Sequence, residues 1–134
     1  MRIGKVSQIY HISVDNLYYY INYGLLVPPR PKGQYVFDQA TLKDLEWILE
    51  LKELDFTLRE IHMLLSLKRI SGLADSQDIL ELKEIYEQKR SYCMEEITRK
   101  ENVIQTLTEK IKELDSLKPA LKNKTGVPLS MLPL

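Results

Sequence analysis

Residues Val14–Leu26, VDNLYYYINYGLL, decide how the rest of the chain is read. Four of the eight tyrosines, Tyr18, Tyr19, Tyr20 and Tyr23, fall within six of these positions. Leu17 and Tyr20 stand three apart, with Ile21 and Gly24 following less regularly, so one stripe of a short helix faces a core. Ser13 is suited to cap this helix, because its hydroxyl can accept an orphan backbone N–H; Asn16 is too short to close a capping box. Gly24 is placed to end it. The tyrosines off the stripe are left to form a surface, either a stacking platform or part of something that reads DNA.

Working outward, Ile3, Val6, Ile9 and Tyr10 also recur at helical spacing, and His11-Ile12-Ser13 breaks the register between the two runs. Two short helices joined by a tight turn make a helix-turn-helix pattern. After Leu26 comes VPPRPKGQYVFD. Its three prolines within residues 28–31 forbid helix, Gly33 marks a turn, and QYVF reads as a short strand. A proline-rich loop and a β-hairpin in this position form a wing.

Two more helices follow. Thr41 is expected to cap one with the apolar face Leu42, Leu45, Ile48, Leu49 and Leu51. Thr57 is expected to cap the next, with Glu60 closing a capping box and Leu58, Ile61, Leu64 and Leu65 turned inward. With the first two helices they enclose a core around Trp47 and Phe56, and Ser71-Gly72 closes the domain. His62, next to Ile61 and Met63, is expected to point off the fourth helix.

Residues 75–117 contain neither proline nor glycine. Their seam runs through Ile79, Leu82, Tyr86, Lys89, Cys93, Ile97, Lys100, Ile104, Leu107, Ile111 and Leu114 in steps of three and four. A helix of ~43 residues spans ~65 Å, longer than any contact surface on the preceding domain. So long and narrow a seam needs a partner helix, and a second copy of the chain is the simplest one. The expected dimer interface is Leu82, Tyr86, Cys93, Ile97, Ile104, Leu107, Ile111 and Leu114. The tail holds two interior prolines and a glycine, and its Val127, Leu129, Met131, Leu132 and Leu134 are expected to dock at least in part. The organisation is therefore mainly α: a winged helix-turn-helix DNA-binding domain over residues 1–72, a long dimerising coiled-coil helix over 73–117, and a C-terminal tail over 118–134.

The formal net charge of the 134 residues is zero, so overall charge points to neither nucleic acid nor membrane. Its distribution is more telling. Residues 1–33 carry Arg2, Lys5, Arg30 and Lys32 against Asp15 alone, a local excess of +3. With Cys93 the only cysteine, no intrachain disulfide can form. Neither a signal peptide nor a membrane-spanning run is evident, and a cytoplasmic location is expected. No acid–base or nucleophile cluster stands out, and GxGxxG, P-loop, HExxH and CxxC motifs are absent, so an enzyme and a cofactor are not expected. A lone thiol in the seam is read as a small buried hydrophobe, not a metal ligand. Trp47, Tyr86, Tyr92 and the tail could line a small-molecule pocket, but ordinary core and interface roles account for them more simply.

Strung in order, these motifs resemble the MerR family of bacterial transcription regulators, whose pattern runs I-G-x-[LV]-A…G-V-S-x-x-[TL]-[LI]-R-Y-Y…G-L-L-x-P-x-R…G-Y-R-x-Y. Ile3, Gly4 and Val6 fit its start, Ile12-Ser13-Val14 its turn, Leu17, Tyr19 and Tyr20 its second helix, and Gly24-Leu25-Leu26 with Pro28 and Arg30 its wing. Leu54-Asp55-Phe56-Thr57-Leu58 matches the later L-G-F-[ST]-L. The resemblance covers about residues 2–117. It implies a homodimer joined by an antiparallel coiled coil, bound to a palindromic promoter operator in double-stranded DNA and distorting it so that RNA polymerase can engage. Lys5, Ser13, Asn16, Tyr18, Tyr19, Arg30, Lys32 and Tyr35 would form the DNA surface, and a small-molecule effector is left open.

Departures from the pattern concentrate on that surface. Tyr18 and Tyr35 stand where the family has arginines, His11 replaces the turn glycine, and Ser7 replaces a small alanine. Losing two cations per chain removes four from a dimer. If each had met a phosphate, the salt slope of binding would fall by about 0.9 per contact, roughly 3.6 in all. A tyrosine in place of a base-reading arginine changes about 1–3 kcal/mol of discrimination per half-site. The competing reading is a protein-interaction adaptor that kept the fold and lost most DNA affinity.

Overall fold

The structure is a computed structural model that describes residues 1–72 and 75–122. Five α-helices follow in order: α1 (Ile3–Tyr10), α2 (Val14–Asn22), α3 (Gln39–Glu53), α4 (Leu58–Ser71) and α5 (Ser76–Lys122). The chain divides into two compact units at Lys89/Arg90, a boundary that falls inside α5.

In the first unit, α1 ends on His11, whose left-handed backbone (φ 56°, ψ 44°) turns the chain sharply into α2. The hydroxyl of Ser7 donates to the carbonyl of Ile12 and fastens this turn. Ser13 caps α2 as expected, its Oγ accepting from the Asn16 N–H at 3.1 Å. Beyond Asn22 the chain leaves the helix through Tyr23 and the positive-φ Gly24. Val6, Leu17 and Tyr20 are buried, and the Tyr20 hydroxyl accepts a hydrogen bond from Lys52 Nζ at 2.8 Å. This satisfies the polar end of an otherwise apolar ring.

The segment read as a β-hairpin wing takes another form. No strand occurs among the described residues; the segment is a loop with a 3-10 turn at Pro31–Gly33. One backbone bond, from Val36 N–H to the Pro29 carbonyl at 2.9 Å, closes the loop, and a single antiparallel bridge joins Val36 to Arg2. The reason lies in the prolines. Pro28, Pro29 and Pro31 lack the N–H groups that a hairpin ladder requires. Phe37, at the end of this loop, is the largest fully buried side chain.

α3 begins earlier than expected. Its cap is Asp38, whose carboxylate accepts from the Thr41 N–H at 2.9 Å and from the Thr41 hydroxyl at 2.6 Å. Thr41 is therefore a buried partner of the cap, not the cap itself. The hydroxyl and amide of Thr41 together hold the Asp38 carboxyl below its usual range. Leu45, Ile48 and Leu51 are buried, while Leu42, Leu49 and Trp47 pack at the margin of the core. The turn into α4 passes through Asp55 at φ 65°, and Thr57 and Glu60 form the expected capping box. Ile61, Leu64 and Leu65 complete the core with Phe56.

His62 does not point away. It sits half-buried beneath the end of α2, its ring 5.6 Å from that of Tyr23 and edge-on to it. Gly24 lies against the same ring, and its backbone at φ 86° is one that glycine adopts freely.

Asp75 caps α5, its carboxylate accepting from the Gln77 N–H at 2.6 Å. The first turns of α5 belong with the first unit: Leu82, Ile85 and Tyr86 pack against the core, Tyr86 with its ring 5.8 Å from that of Phe56. Lys89, read as a polar break in a seam, donates to the Asp55 carbonyl at 3.1 Å and to the Glu60 carboxylate at 2.9 Å.

Within the second unit, Ile97, Ile104, Leu107 and Ile111 are each more than half exposed, while Cys93 and Leu114 are half-buried. α5 continues past residue 117 to Lys122, carrying Pro119 near its end. There the missing N–H removes only one bond of the ladder. The tail residues expected to dock, Val127 to Leu134, lie outside the described residues.

Candidate nucleic-acid interface

Burying Leu17 and Tyr20 turns the opposite side of α2 to solvent. Tyr18, Tyr19 and Tyr23 are exposed there, at 42%, 51% and 40%. The four tyrosines thus divide into one core residue and three surface residues. Tyr19 and Tyr23 lie nearly parallel, with ring centroids 6.0 Å apart. Tyr18 turns the other way and meets Tyr35 of the loop edge to face, at 6.2 Å and 63°.

Tyr35 in turn lies under a cation. The Arg30 guanidinium carbon stands 4.6 Å from the centre of its ring, and Arg30 Nε donates to the Gly33 carbonyl at 2.9 Å. That carbonyl is presented by a turn in which Lys32 (φ 53°) and Gly33 (φ 80°) both adopt left-handed backbone. The glycine takes this conformation freely and the lysine under mild strain.

Arg2, Lys5, Tyr18, Arg30 and Tyr35 line one cleft of about 440 Å³, floored by the start of α1 and closed by Gly33 and Gln34 of the loop. Of the expected DNA-surface residues, the cleft gathers Lys5, Tyr18, Arg30 and Tyr35. Ser13, Asn16, Tyr19 and Lys32 are exposed but do not line it. Arg2 and Gln34 were not singled out from the sequence, although Arg2 was part of the basic footprint. Their place at the cleft follows from the Arg2–Val36 bridge, which ties the loop to the start of α1.

Among the described residues, three cations and no carboxylate line the cleft. Among the described residues none of Arg2, Lys5, Arg30 or Lys32 takes part in an ion pair, whereas Lys68 and Arg69 share Asp44 at 3.0 and 3.3 Å. Cations without a carboxylate partner, set beside exposed aromatic rings, suit a polyanion with flat, stackable or methylated edges. Arg69 contributes differently, donating to the carbonyls of Gly24 and Leu25 at 3.1 and 2.6 Å. It holds the end of α2 against α4, and its long reach in sequence explains why spacing alone did not reveal it.

A family model described as the MerR HTH family regulatory protein matches residues 1–68. The chain belongs to the MerR family. It is 35% identical over 66 residues to the mercuric resistance operon regulatory protein of Bacillus cereus, a match covering 48% of this chain and 50% of that protein. To the HTH-type transcriptional regulator ZntR homolog of Haemophilus influenzae it is 33% identical over 73 residues, covering 53% and 54% of the two chains. The match thus spans about half the length of these curated relatives.

Crystal structures extend the likeness of fold. A MerR family transcriptional regulator from Bacillus thuringiensis superposes with a TM-score of 0.57 at 24% identity, covering 84% of this chain and 97% of that one. Another from Listeria monocytogenes gives 0.62 at 21% identity, covering 92% of each. For this MerR-family chain the helix-turn-helix is α1–turn–α2, and the cleft lies where that motif meets the loop.

A second cleft, of about 390 Å³, is lined by Trp47 with Lys43, Glu46, Glu50, Lys68 and Leu82. The ligand pocket weighed from the sequence joined Trp47 to Tyr86 and Tyr92. Tyr86 instead packs on Phe56, and Tyr92 is exposed in the second unit. Among the described residues no group of three or more His, Cys, Asp or Glu side chains is placed to hold a metal ion, and no helix is long and apolar enough to cross a membrane.

Proposed function

We propose that this MerR-family chain is a homodimeric transcriptional regulator that binds a palindromic operator in double-stranded DNA and distorts it, letting RNA polymerase engage the promoter. The observation that carries this reading is the cluster of cations Arg2, Lys5 and Arg30 in one cleft with Tyr18, an exposed tyrosine of α2. In it, α2 enters the major groove with Asn16 and Tyr18 toward base edges, while Arg30 and Lys32 meet phosphates from the loop. Tyrosine hydroxyls donate to phosphate, and their rings pack on sugars or thymine methyls. The protein acts in the cytoplasm.

Dimerisation falls to the later part of α5. Leu82 and Tyr86 are occupied by the chain's own core, so Cys93, Ile97, Ile104, Leu107, Ile111 and Leu114 are the residues that meet a second copy, in antiparallel fashion. Apolar side chains left wet along one helix argue for a covering surface, and each that is buried contributes about 1.5–3 kcal/mol.

The test is selection of bound fragments from the source genome with the purified protein. An inverted repeat with a fixed spacer is the expected product, and its affinity should fall steeply with salt. Recovery of no enriched sequence, together with co-purification of a protein partner in the absence of DNA, would favour the adaptor reading instead.

A further inference from the structure

Tyr35 poses a question of its own. It is half-buried, yet it is not among the side chains that pack on the hydrophobic core. It is flanked instead by the Arg30 guanidinium over its ring at 4.6 Å and by the edge of Tyr18 at 6.2 Å. The residue after it, Val36, is fixed through its N–H to Pro29 and through its bridge to Arg2. The ring is therefore held by a cation and by a second aromatic ring, at a place where core packing does not require it.

The consequence falls on Arg30. Its guanidinium is constrained twice, by the Tyr35 ring and by the bond from Nε to the Gly33 carbonyl at 2.9 Å. With Nε occupied, the two terminal nitrogens are left to donate in parallel, an arrangement that matches two oxygens of one phosphate. A surface arginine ordinarily gives up much of its rotamer freedom when it takes an anion; here most of that ordering precedes binding. Arg2 and Lys5 line the same cleft, and no carboxylate lines it to neutralise them. Tyr18 belongs both to this cleft and to the exposed face of α2, so a duplex lying on α2 brings its backbone past Arg30.

We infer that Tyr35 is a positioning residue, braced by Tyr18, that holds Arg30 as the clamp for a single DNA backbone phosphate in each half-site. The inference rests on the DNA-binding reading above and adds to it a specific division of labour.

The experiment uses the full chain and a short labelled duplex carrying the sequence recovered by genomic selection. Dissociation constants are measured across a salt series for the wild type, Tyr35→Phe, Tyr35→Ala, Arg30→Ala and the Tyr35→Ala/Arg30→Ala double variant, with thermal melts of each to verify folding. Tyr35→Phe keeps the ring and should bind within about twofold of wild type, whereas Tyr35→Ala should weaken the dimer roughly 5–30-fold. Arg30→Ala should lower the salt slope by about 1.8, two contacts at about 0.9 each. Tyr35→Ala should move the slope toward that value and add nothing in the double variant.

A folded Tyr35→Ala that binds like wild type overturns the inference and leaves the DNA reading standing. So does a loss that persists undiminished when Arg30 is already alanine, or one that phenylalanine does not rescue. Inorganic phosphate at matched ionic strength is the second probe. If it raises the melting temperature of wild type but not of Tyr35→Ala while Arg30→Ala leaves duplex affinity unchanged, the cleft is a free-anion site and the duplex assignment falls. A wild type that binds no duplex overturns the DNA reading and the inference together.

Discussion

Tyr18 of α2 and Tyr35 of the loop meet edge to face, with ring centroids 6.2 Å apart. These are two of the three positions at which the MerR pattern carries arginine; the third is kept as Arg30. Two guanidiniums at that spacing would repel each other, whereas two rings attract through the positive edge of one and the negative face of the other. The exchanges therefore make a pair and are not two separate losses. A double-mutant cycle in urea, using Tyr18→Ala, Tyr35→Ala and the double variant, should give a coupling of about 0.5–1 kcal/mol. Strict additivity would mean that the rings are neighbours without energetic consequence.

His11 and Asp55 share a second relationship with the family pattern. Each stands at a motif glycine, and each adopts positive φ, 56° and 65°. An L-residue with a Cβ is strained there, although His and Asp tolerate the region better than most. His11→Gly and Asp55→Gly should each stabilise the protein by about 0.5–1 kcal/mol, with a rise of a few degrees in melting temperature. The β-branched Asp55→Val should lower stability by at least as much. Melts of the three variants check both directions.

Glu60 links the cap of α4 to α5. Its carboxylate accepts from the Thr57 N–H at 2.9 Å within the α4 cap and from Lys89 Nζ of α5 at 2.9 Å. Burial pushes the carboxyl up, but the Thr57 amide and hydroxyl and the Lys89 ammonium pull harder, so it lies below the usual glutamate value. A carboxylate whose folded pKa is depressed contributes stability above its unfolded pKa, and that contribution is lost as pH falls through the folded value. The protein should therefore lose stability on acidification below the ordinary glutamate range. Glu60→Gln should be less stable at neutral pH by about 1 kcal/mol or less, since the side chain is 40% exposed and screened. It should also show a flatter acid limb. Equal acid limbs for the two proteins would remove Glu60 as the cause.

What the sequence disclosed and what it withheld divide along physical lines. Signals carried by neighbours in the chain were legible: the Ser13 cap, the Thr57–Glu60 box, His11 at the turn's glycine position and the inward faces of α3 and α4. Tyr20 was assigned to the core for the same reason, its spacing from Leu17. Features made by distant residues were not legible. Nothing local says that Arg69 reaches the carbonyls of Gly24 and Leu25, or that His62 packs edge-on to Tyr23. The alternation in QYVF suggested a strand, but three upstream prolines left too few donors for one. Phe37 went unnoticed as core because its segment was read as a hairpin at the surface. In the cleft, the residue types were recognised singly; that Tyr18, Tyr35 and Arg30 form one cluster depends on the loop folding back onto α1 and α2.

The same limit applied to α5, where one periodic seam passes from a packed stretch to an exposed one. Steps of three and four continue from Ile79 to Leu114, yet Leu82 and Tyr86 pack on the chain's own core while Ile104 and Ile111 are exposed. Substitutions at the two ends of the seam should separate accordingly. Tyr86→Ala should destabilise the first unit by about 1–2 kcal/mol, less than a fully buried aromatic, and leave the oligomeric state unchanged. Ile104→Asp places a charge on the exposed stripe. It should convert the dimer to monomer in sedimentation while the melting of the first unit holds. DNA affinity should then fall roughly 10²–10⁴-fold, the gain that a second linked half-site provides. A monomeric wild type would overturn the dimer reading, and an Ile104→Asp variant that remains dimeric would place the partner surface elsewhere than on this stripe.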